Sequence, residues 1–103
     1  MTLDQFRQTL SNNEPPHNLN NVLTALWYEA KGNWQKAHTI VQSVDTNEAA
    51  WVHAYLHRKE PDEFNAGYWY RRAGKDFCRK SFDKEWEEIS KELLKSVQIN
   101  SGE

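Results

Sequence analysis

Apolar residues recur along this chain at the spacing of an amphipathic helix in several separate stretches. Residues on one face of an α-helix stand three, four, seven or eight positions apart. The most complete stripe lies within residues 18–31 and consists of Leu19, Val22, Leu23, Leu26, Trp27 and Ala30. We therefore predict a helix over residues 18–31, which Gly32 ends in a left-handed conformation.

Shorter stripes predict five further helices, so that the chain has about six in all. Thr2 and Gln5 can form a capping box before the first of them, and Asn33 can cap the third. No stretch shows the alternation of apolar and polar residues that is typical of strands, so we predict an all-α fold. The five further helices fall within residues 1–17, 33–44, 47–59, 61–73 and 81–97.

The helix within residues 47–59 differs from the others because apolar residues occupy most of its circumference. Such a helix is normally surrounded by neighbours, so we expect it at the centre of the molecule. In the next helix, Pro61 suits the first turn. Gly67 costs about 1 kcal/mol against alanine inside a helix, which suggests a close helix contact there. Acidic residues at the start of the last helix, including Glu85, match the helix dipole.

Two segments of the chain are similar to each other at an offset of 29 residues, which aligns Ala37 with Ala66 and Gly32 with Pro61. The first copy has the small and aromatic residues of the tetratricopeptide (TPR) pattern at Ala25, Tyr28, Gly32, Trp34 and Ala37. The chain thus resembles that family, although the family repeat is 34 residues long. The second copy has His57 at a pattern position.

The resemblance to the TPR family implies a fold of paired helices. It implies two antiparallel TPR-like hairpins, with the first and last helices as caps. All of them would belong to a single domain over residues 1–103. The corresponding boundaries are 1–17 for the N-terminal helix and linker, 18–44 and 47–74 for the hairpins, and 81–97 for the C-terminal helix.

A second resemblance rests on the run AWVHAYLHRKE at Ala50–Glu60, followed by Asn65-Ala66 and by YWYRRA at Tyr68–Ala73. These residues are similar to a family of small, mainly bacterial proteins. Where that family reads His-Arg-Lys-Glu-Gly-Asp, this chain has Pro61 in place of the glycine. The resemblance implies no particular activity, because that family has no assigned function.

Composition and charge exclude several classes of protein. Charged residues form 27% of the chain and the net charge is −2, whereas binding to nucleic acid or anionic membranes needs a basic excess. No apolar run approaches the ~18 residues of a membrane span, and the polar N-terminus is unlike a signal peptide. The lone Cys78 cannot form an internal disulfide and suits a reducing compartment. We predict a cytoplasmic protein without nucleic-acid or membrane partners, in which this thiol is a spectator.

Two histidines offer the clearest candidate chemistry. His53 and His57 stand four residues apart on one helical face, and Glu60 follows one turn later. Three interpretations are open: satisfied, partly buried imidazoles, a pocket for a small molecule or anion, or a metal site. The metal site is the least favoured, because Ala54 stands where the HExxH motif has glutamate, and we predict no metal and no cofactor. His38 is expected to face the next hairpin or solvent.

Arginine and aromatic residues complete the candidate site. Arg71 and Arg72 lie in the last helical turn, where cations favour the dipole. Alternatively, one of them clamps a carboxylate or phosphate together with a histidine. Trp69 could form a wall of such a pocket, although aromatic residues in a small domain mostly supply core area. The candidate ligand-binding residues are therefore His53, His57, Glu60, Trp69, Arg71 and Arg72.

These observations lead to hypotheses of different functional classes. TPR-like hairpins stack into a concave surface, so the leading hypothesis is a small helical interaction module that binds a protein or peptide partner. The alternative is a protein that binds a small molecule or anion, or a small enzyme, with a His/Arg/aromatic pocket on the second hairpin. A third hypothesis is a structural oligomerisation domain that uses exposed aromatic residues.

Overall fold

Six α-helices make up most of the chain that the structure describes. The structure is a computed structural model, and it describes the backbone of residues 1–101 and the side chains of residues 1–95. No strand occurs in that backbone, so the predicted all-α fold is confirmed. The helices are α1 (Leu3–Gln8), which a 3-10 turn continues over Thr9–Ser11, α2 (Asn21–Ala30), α3 (Trp34–Gln42), α4 (Asn47–Lys59), α5 (Glu63–Ala73) and α6 (Phe82–Ser101).

Several residues that the sequence assigned to helix ends occupy those positions. Thr2 and Gln5 form the predicted capping box at the start of α1. The side chain of Asn33 accepts a backbone N–H in the first turn of α3. Gly32 and Gly74 follow α2 and α5 with positive φ angles of 87° and 72°. The chain therefore ends these helices through local chemistry that the sequence already displays.

Two helices begin later than predicted because a capping side chain stands further along the chain. Helix α2 begins at Asn21, because the side chain of Asn20 caps it. Helix α5 is capped by Asp62. Pro61 thus lies before α5 and not in its first turn, so that prediction was wrong, and the peptide bond that precedes Pro61 is cis.

The prediction of a close helix contact at Gly67 is also wrong. A Cβ atom built on Gly67 would meet only the guanidinium of Arg71, at 3.6 Å, among the described residues outside the local helix backbone. That is an ordinary van der Waals distance to the end of a flexible side chain. Packing against another helix therefore does not explain this glycine.

Helix α4 lies at the centre of the molecule, as its all-round apolar pattern predicted. It packs against α5, α3, α6 and α2. Helices α2 and α3 also pack together, while the TPR-like geometry of the pairs stays a prediction. No helix in the described chain is both long enough and apolar enough to cross a membrane. The buried residues of α4 are Ala49, Ala50, Val52, His53, Ala54, Tyr55, Leu56 and His57.

Helix α6 contributes an unexpected buried carboxylate. The sequence assigned Glu85 to the helix dipole, but this residue is only 1% exposed. Its Oε2 atom accepts hydrogen bonds from the Tyr70 hydroxyl at 2.6 Å and from Trp51 Nε1 at 3.3 Å.

Helix α6 extends to Ser101, past the predicted end at Val97. The side chain of Val97 lies outside the described residues.

A candidate tri-histidine metal centre

Three histidine side chains from two helices meet at one point between α3 and α4. His38 comes from α3, and His53 and His57 come from α4. One nitrogen from each ring lies within 4.8 Å of the others. The Nε2 atoms of His38 and His53 are 3.0 Å apart, within hydrogen-bonding distance. The sequence predicted the pair on α4, and the fold adds a third imidazole to it.

The packing of α3 on α4 fixes the position of His38. Ala37 and Val41 are buried on α3, so the neighbouring His38 stands at the edge of the same interface. The ring of Trp34, one turn earlier, stacks on the His38 ring with centroids 4.9 Å apart. Trp34 Nε1 also donates a hydrogen bond to the carbonyl of Leu56 on α4, at 2.7 Å. This bond joins the two helices beside the histidines.

A second tryptophan covers the other side of the cluster. The ring of Trp69, from α5, stacks on that of His53 with centroids 3.9 Å apart and an interplanar angle of 15°. The His57 ring lies roughly parallel to His53 as well, at 4.9 Å. Trp34 and Trp69 therefore restrict the motion of His38 and His53, since stacked rings cannot rotate freely without losing contact area.

A carboxylate orients the third imidazole. Nδ1 of His57 lies 2.8 Å from Oε1 of Glu60, the predicted candidate one turn further along the chain. Because a carboxylate only accepts, we assign the proton to Nδ1, which leaves the Nε2 lone pair of His57 available to a ligand. The same pairing of a carboxylate with histidine orients many metal-binding imidazoles.

Burial favours the uncharged form of two of the rings. His53 is only 4% exposed, and its burial, together with the neighbouring rings of His38 and His57, lowers the pKa of His53 to about 3. Burial and the His57 ring also lower the pKa of His38, against the opposing effect of the Glu60 carboxylate. Neutral imidazole is the form of histidine that binds metal ions.

The separation of the nitrogens suits a metal ion. Zinc binds imidazole nitrogen at ~2.0–2.1 Å in tetrahedral geometry, which places two such nitrogens roughly 3.3 Å apart. The Nε2 atoms of His38 and His53 are already 3.0 Å apart. A bound ion would replace the hydrogen bond between them, and both rings would then present lone pairs to it.

The structure brings four of the six predicted site residues together, and of the other two Arg72 reaches this group at Trp69. His53, His57, Glu60 and Trp69 form one group through the contacts given above. Arg72 instead donates to the Tyr68 hydroxyl at 3.2 Å and to Asp45 at 3.3 Å, and its guanidinium lies over the Trp69 ring. In the described chain no hydrogen bond or ion pair joins Arg71 or Arg72 to the histidines. The arginine–histidine clamp on a carboxylate or phosphate stays a prediction.

His38 was not among the predicted site residues. It was expected to face the next hairpin or solvent, and the structure places its ring against α4, the first helix of the second predicted hairpin. One signal was present, because Trp34 precedes His38 by one helical turn. The register between α3 and α4, which decides whether His38 meets His53, is not visible in either helix alone.

Cys78 lies apart from the histidine group. Its side chain is half-buried against a smaller apolar cluster that contains Ala54, Ala66 and Tyr70. The carbonyl of Cys78 accepts a hydrogen bond from Arg58 Nη1 at 3.0 Å. The three clustered ligand atoms of the candidate site are therefore all imidazole nitrogens, without a thiolate among them.

Comparisons with known proteins give no indication of function, so the proposal below rests on the geometry of the histidine group. No family model, no curated protein and no solved structure matches this chain. The resemblances to the TPR family and to the small bacterial family therefore stay predictions.

Proposed function

We propose that this protein binds one divalent transition-metal ion through His38, His53 and His57. The observation that carries the proposal is the convergence of three imidazole nitrogens within 4.8 Å of one another. A histidine pair on one helix is common, but the third imidazole from another helix completes the three protein ligands of a three-histidine zinc site.

The ligand atoms indicate the class of metal. Imidazole suits zinc, copper, nickel and iron, whereas magnesium and calcium need oxygen ligands. Glu60 supports the proposal as the group that orients His57, at 2.8 Å from its Nδ1. Asp62 also lies close to His57 and Glu60, but its two oxygens accept the backbone and side-chain N–H groups of Asn65. It serves as the cap of α5.

Equilibrium dialysis against zinc, with metal analysis of the protein, tests the proposal. We expect one bound ion per chain in the wild type and its loss in His38→Gln, which removes one imidazole but keeps a polar side chain. His17→Ala is the matched control, because His17 is exposed in a turn far along the chain from the cluster and should leave binding unchanged. Equal zinc binding by the wild type and His38→Gln would contradict the proposal.

A second candidate function is the interaction module that the sequence favours. Its support is the outer face of α5, where Phe64 is 84% exposed and Tyr68 is 42% exposed. These two rings are one helical turn apart, and Arg72 continues the same face. Exposed aromatic residues next to arginine are enriched at protein interfaces. The face would suit a partner segment with apolar and acidic side chains.

A capture experiment tests this second candidate. We expect the wild type to retain a protein from cell extract that Phe64→Ser fails to retain. Lys36→Ser, at an exposed position on α3, controls for general effects of surface substitution. Retention of the same proteins by the wild type and Phe64→Ser would exclude the α5 face as the binding surface.

A further inference from the structure

We infer that a metal ion bound at the tri-histidine site keeps one coordination position open to a small anion or water. This inference rests on the proposed metal binding. Its basis is the number of ligands, because the described chain brings three side-chain ligand atoms together at this point and not four. Closed structural zinc sites have four protein ligands, whereas sites with three keep a position for water or substrate.

The carboxylates near the cluster are engaged elsewhere. Glu60 contacts His57 through Nδ1, and the metal would bind the other ring nitrogen. Asp62 accepts two hydrogen bonds from Asn65 at the start of α5. Glu60 is thus held on the Nδ1 side of His57, and Asp62 is held at the cap of α5. The fourth ligand therefore comes from solution.

Solvent can reach the cluster along one edge. His53 is 4% exposed, and Trp69 covers one of its faces. His38 is half-buried, however, and the side chain of Glu60 is 44% exposed. The edge between His38 and Glu60 is thus the side from which a fourth ligand can enter. The flanking rings of Trp34 and Trp69 favour a ligand of only a few atoms.

The charge of the site selects an anion. Three neutral imidazoles leave the full double positive charge on a divalent ion, unlike the thiolates of structural zinc sites. That charge stabilises hydroxide, azide or a small carboxylate at the open position, and it lowers the pKa of bound water. The further ligand is therefore a small monovalent anion, of which hydroxide is the one always present in water.

Cobalt(II) provides a spectroscopic test, because its visible absorption reports coordination number and ligands. We expect the cobalt-loaded wild type to show the intense visible bands of a four-coordinate site. Addition of azide at constant ionic strength should change these bands in a saturable way. His17→Ala should behave like the wild type. Perchlorate added in place of azide is the control anion, and it should leave the bands unchanged.

The outcomes separate the two proposals. Cobalt binding at one ion per chain with a spectrum that azide leaves unchanged would overturn the open position, while the metal site itself would stand. A saturable change that is equal in wild type and in His38→Gln would place the anion outside the site and would also overturn the inference. Failure of the wild type to bind cobalt or zinc would overturn both proposals together.

Discussion

Glu85, His53 and His57 are ionisable side chains that the fold buries. The carboxylate of Glu85 accepts hydrogen bonds from Tyr70 and Trp51. Its other oxygen lies 3.2 Å from Arg58 Nη1, although it has no hydrogen bond of good geometry. We regard the Arg58 contact as electrostatic, because the two atoms are close but are not aligned for a hydrogen bond. Glu85 thus ties α6 to α4 and α5.

Removal of this carboxylate should strongly destabilise the protein. In Glu85→Ala the side chains of Arg58 and Tyr70 would stay buried without their partner, and breaking a buried pair in this way costs about 3–5 kcal/mol. Glu88→Ala is the control, because Glu88 pairs with Lys80 nearer the surface and such pairs contribute about 0–1 kcal/mol. Urea unfolding measures both. Equal losses of free energy would show that the Glu85 contacts contribute little.

The ionisation of Glu85 should make part of the stability depend on pH. Burial raises the pKa of Glu85 above its ordinary value of 4.5, against the opposing effects of the Tyr70 hydrogen bond and Arg58. The folded state therefore holds this proton more tightly than the unfolded state. The resulting stabilisation is complete below about pH 4.5 and is lost as the pH rises, by at most ~1.4 kcal/mol per pH unit.

Unfolding free energies of the wild type and Glu85→Gln between about pH 4 and 7 measure this effect. Glutamine keeps an acceptor for Tyr70 and does not titrate. We expect the difference in stability, wild type minus variant, to fall as the pH rises. A difference that grows with pH would mean that Arg58 outweighs burial and that the pKa is lowered.

At this scale the sequence showed which residues carry chemistry but not which of them meet. The spacing of His53 and His57 predicted a shared helical face, and Glu60 was predicted beside them. His38 and Glu85 gained their roles through contacts with other helices. Those contacts depend on helix register, which the periodicity of a single helix does not contain.

The positions of the helices follow closely from local sequence signals. The glycines of this chain show one case in which such a signal succeeds and one in which it fails. Gly74 ends α5 with φ at 72°, as the sequence predicted. Gly67 lies inside the same helix, and the contact proposed to explain it is absent. Likewise Pro61 was assigned to a helix start from its residue type, but the cap at Asp62 sets the start of α5. Residue preferences locate a helix boundary only when no stronger cap stands nearby.

Gly67 inside α5 and Gly74 at its end should respond oppositely to substitution by alanine. Gly74→Ala forces a side chain into the left-handed region and should cost about 1–2 kcal/mol. Gly67→Ala adds a methyl group that meets only a flexible arginine at 3.6 Å, and it should stabilise α5 by about 1 kcal/mol. Thermal unfolding of the two variants provides the comparison. Destabilisation by Gly67→Ala would show that the glycine has a packing role after all.

At the scale of the whole molecule, α4 is the central helix and its neighbours pack around it. The proposed metal would join α4 to α3. The all-α class and the central place of α4 followed from the periodicity of apolar residues. The histidine cluster did not, because it requires α3 and α4 to pack in one particular register. His38 belongs to the first predicted hairpin, and His53 and His57 belong to the second. A metal ion bound by all three would therefore hold the two halves together.

Zinc should consequently stabilise the folded protein. An ion that binds only the folded state adds ~2.7 kcal/mol when its free concentration is a hundred times the Kd. We expect zinc to raise the Tm of the wild type and of His17→Ala, with little effect on His38→Gln. A zinc-dependent rise of the same size in His38→Gln would show that the ion binds elsewhere.

A crystal structure of the zinc-loaded protein, with anomalous data at the zinc edge, tests the central claim most directly. We predict a single anomalous peak bonded to Nε2 of His38, His53 and His57 at ~2.0–2.1 Å, with the hydrogen bond between His38 and His53 broken. A map without a peak at this point, in which His38 and His53 remain hydrogen-bonded to each other, would contradict the account.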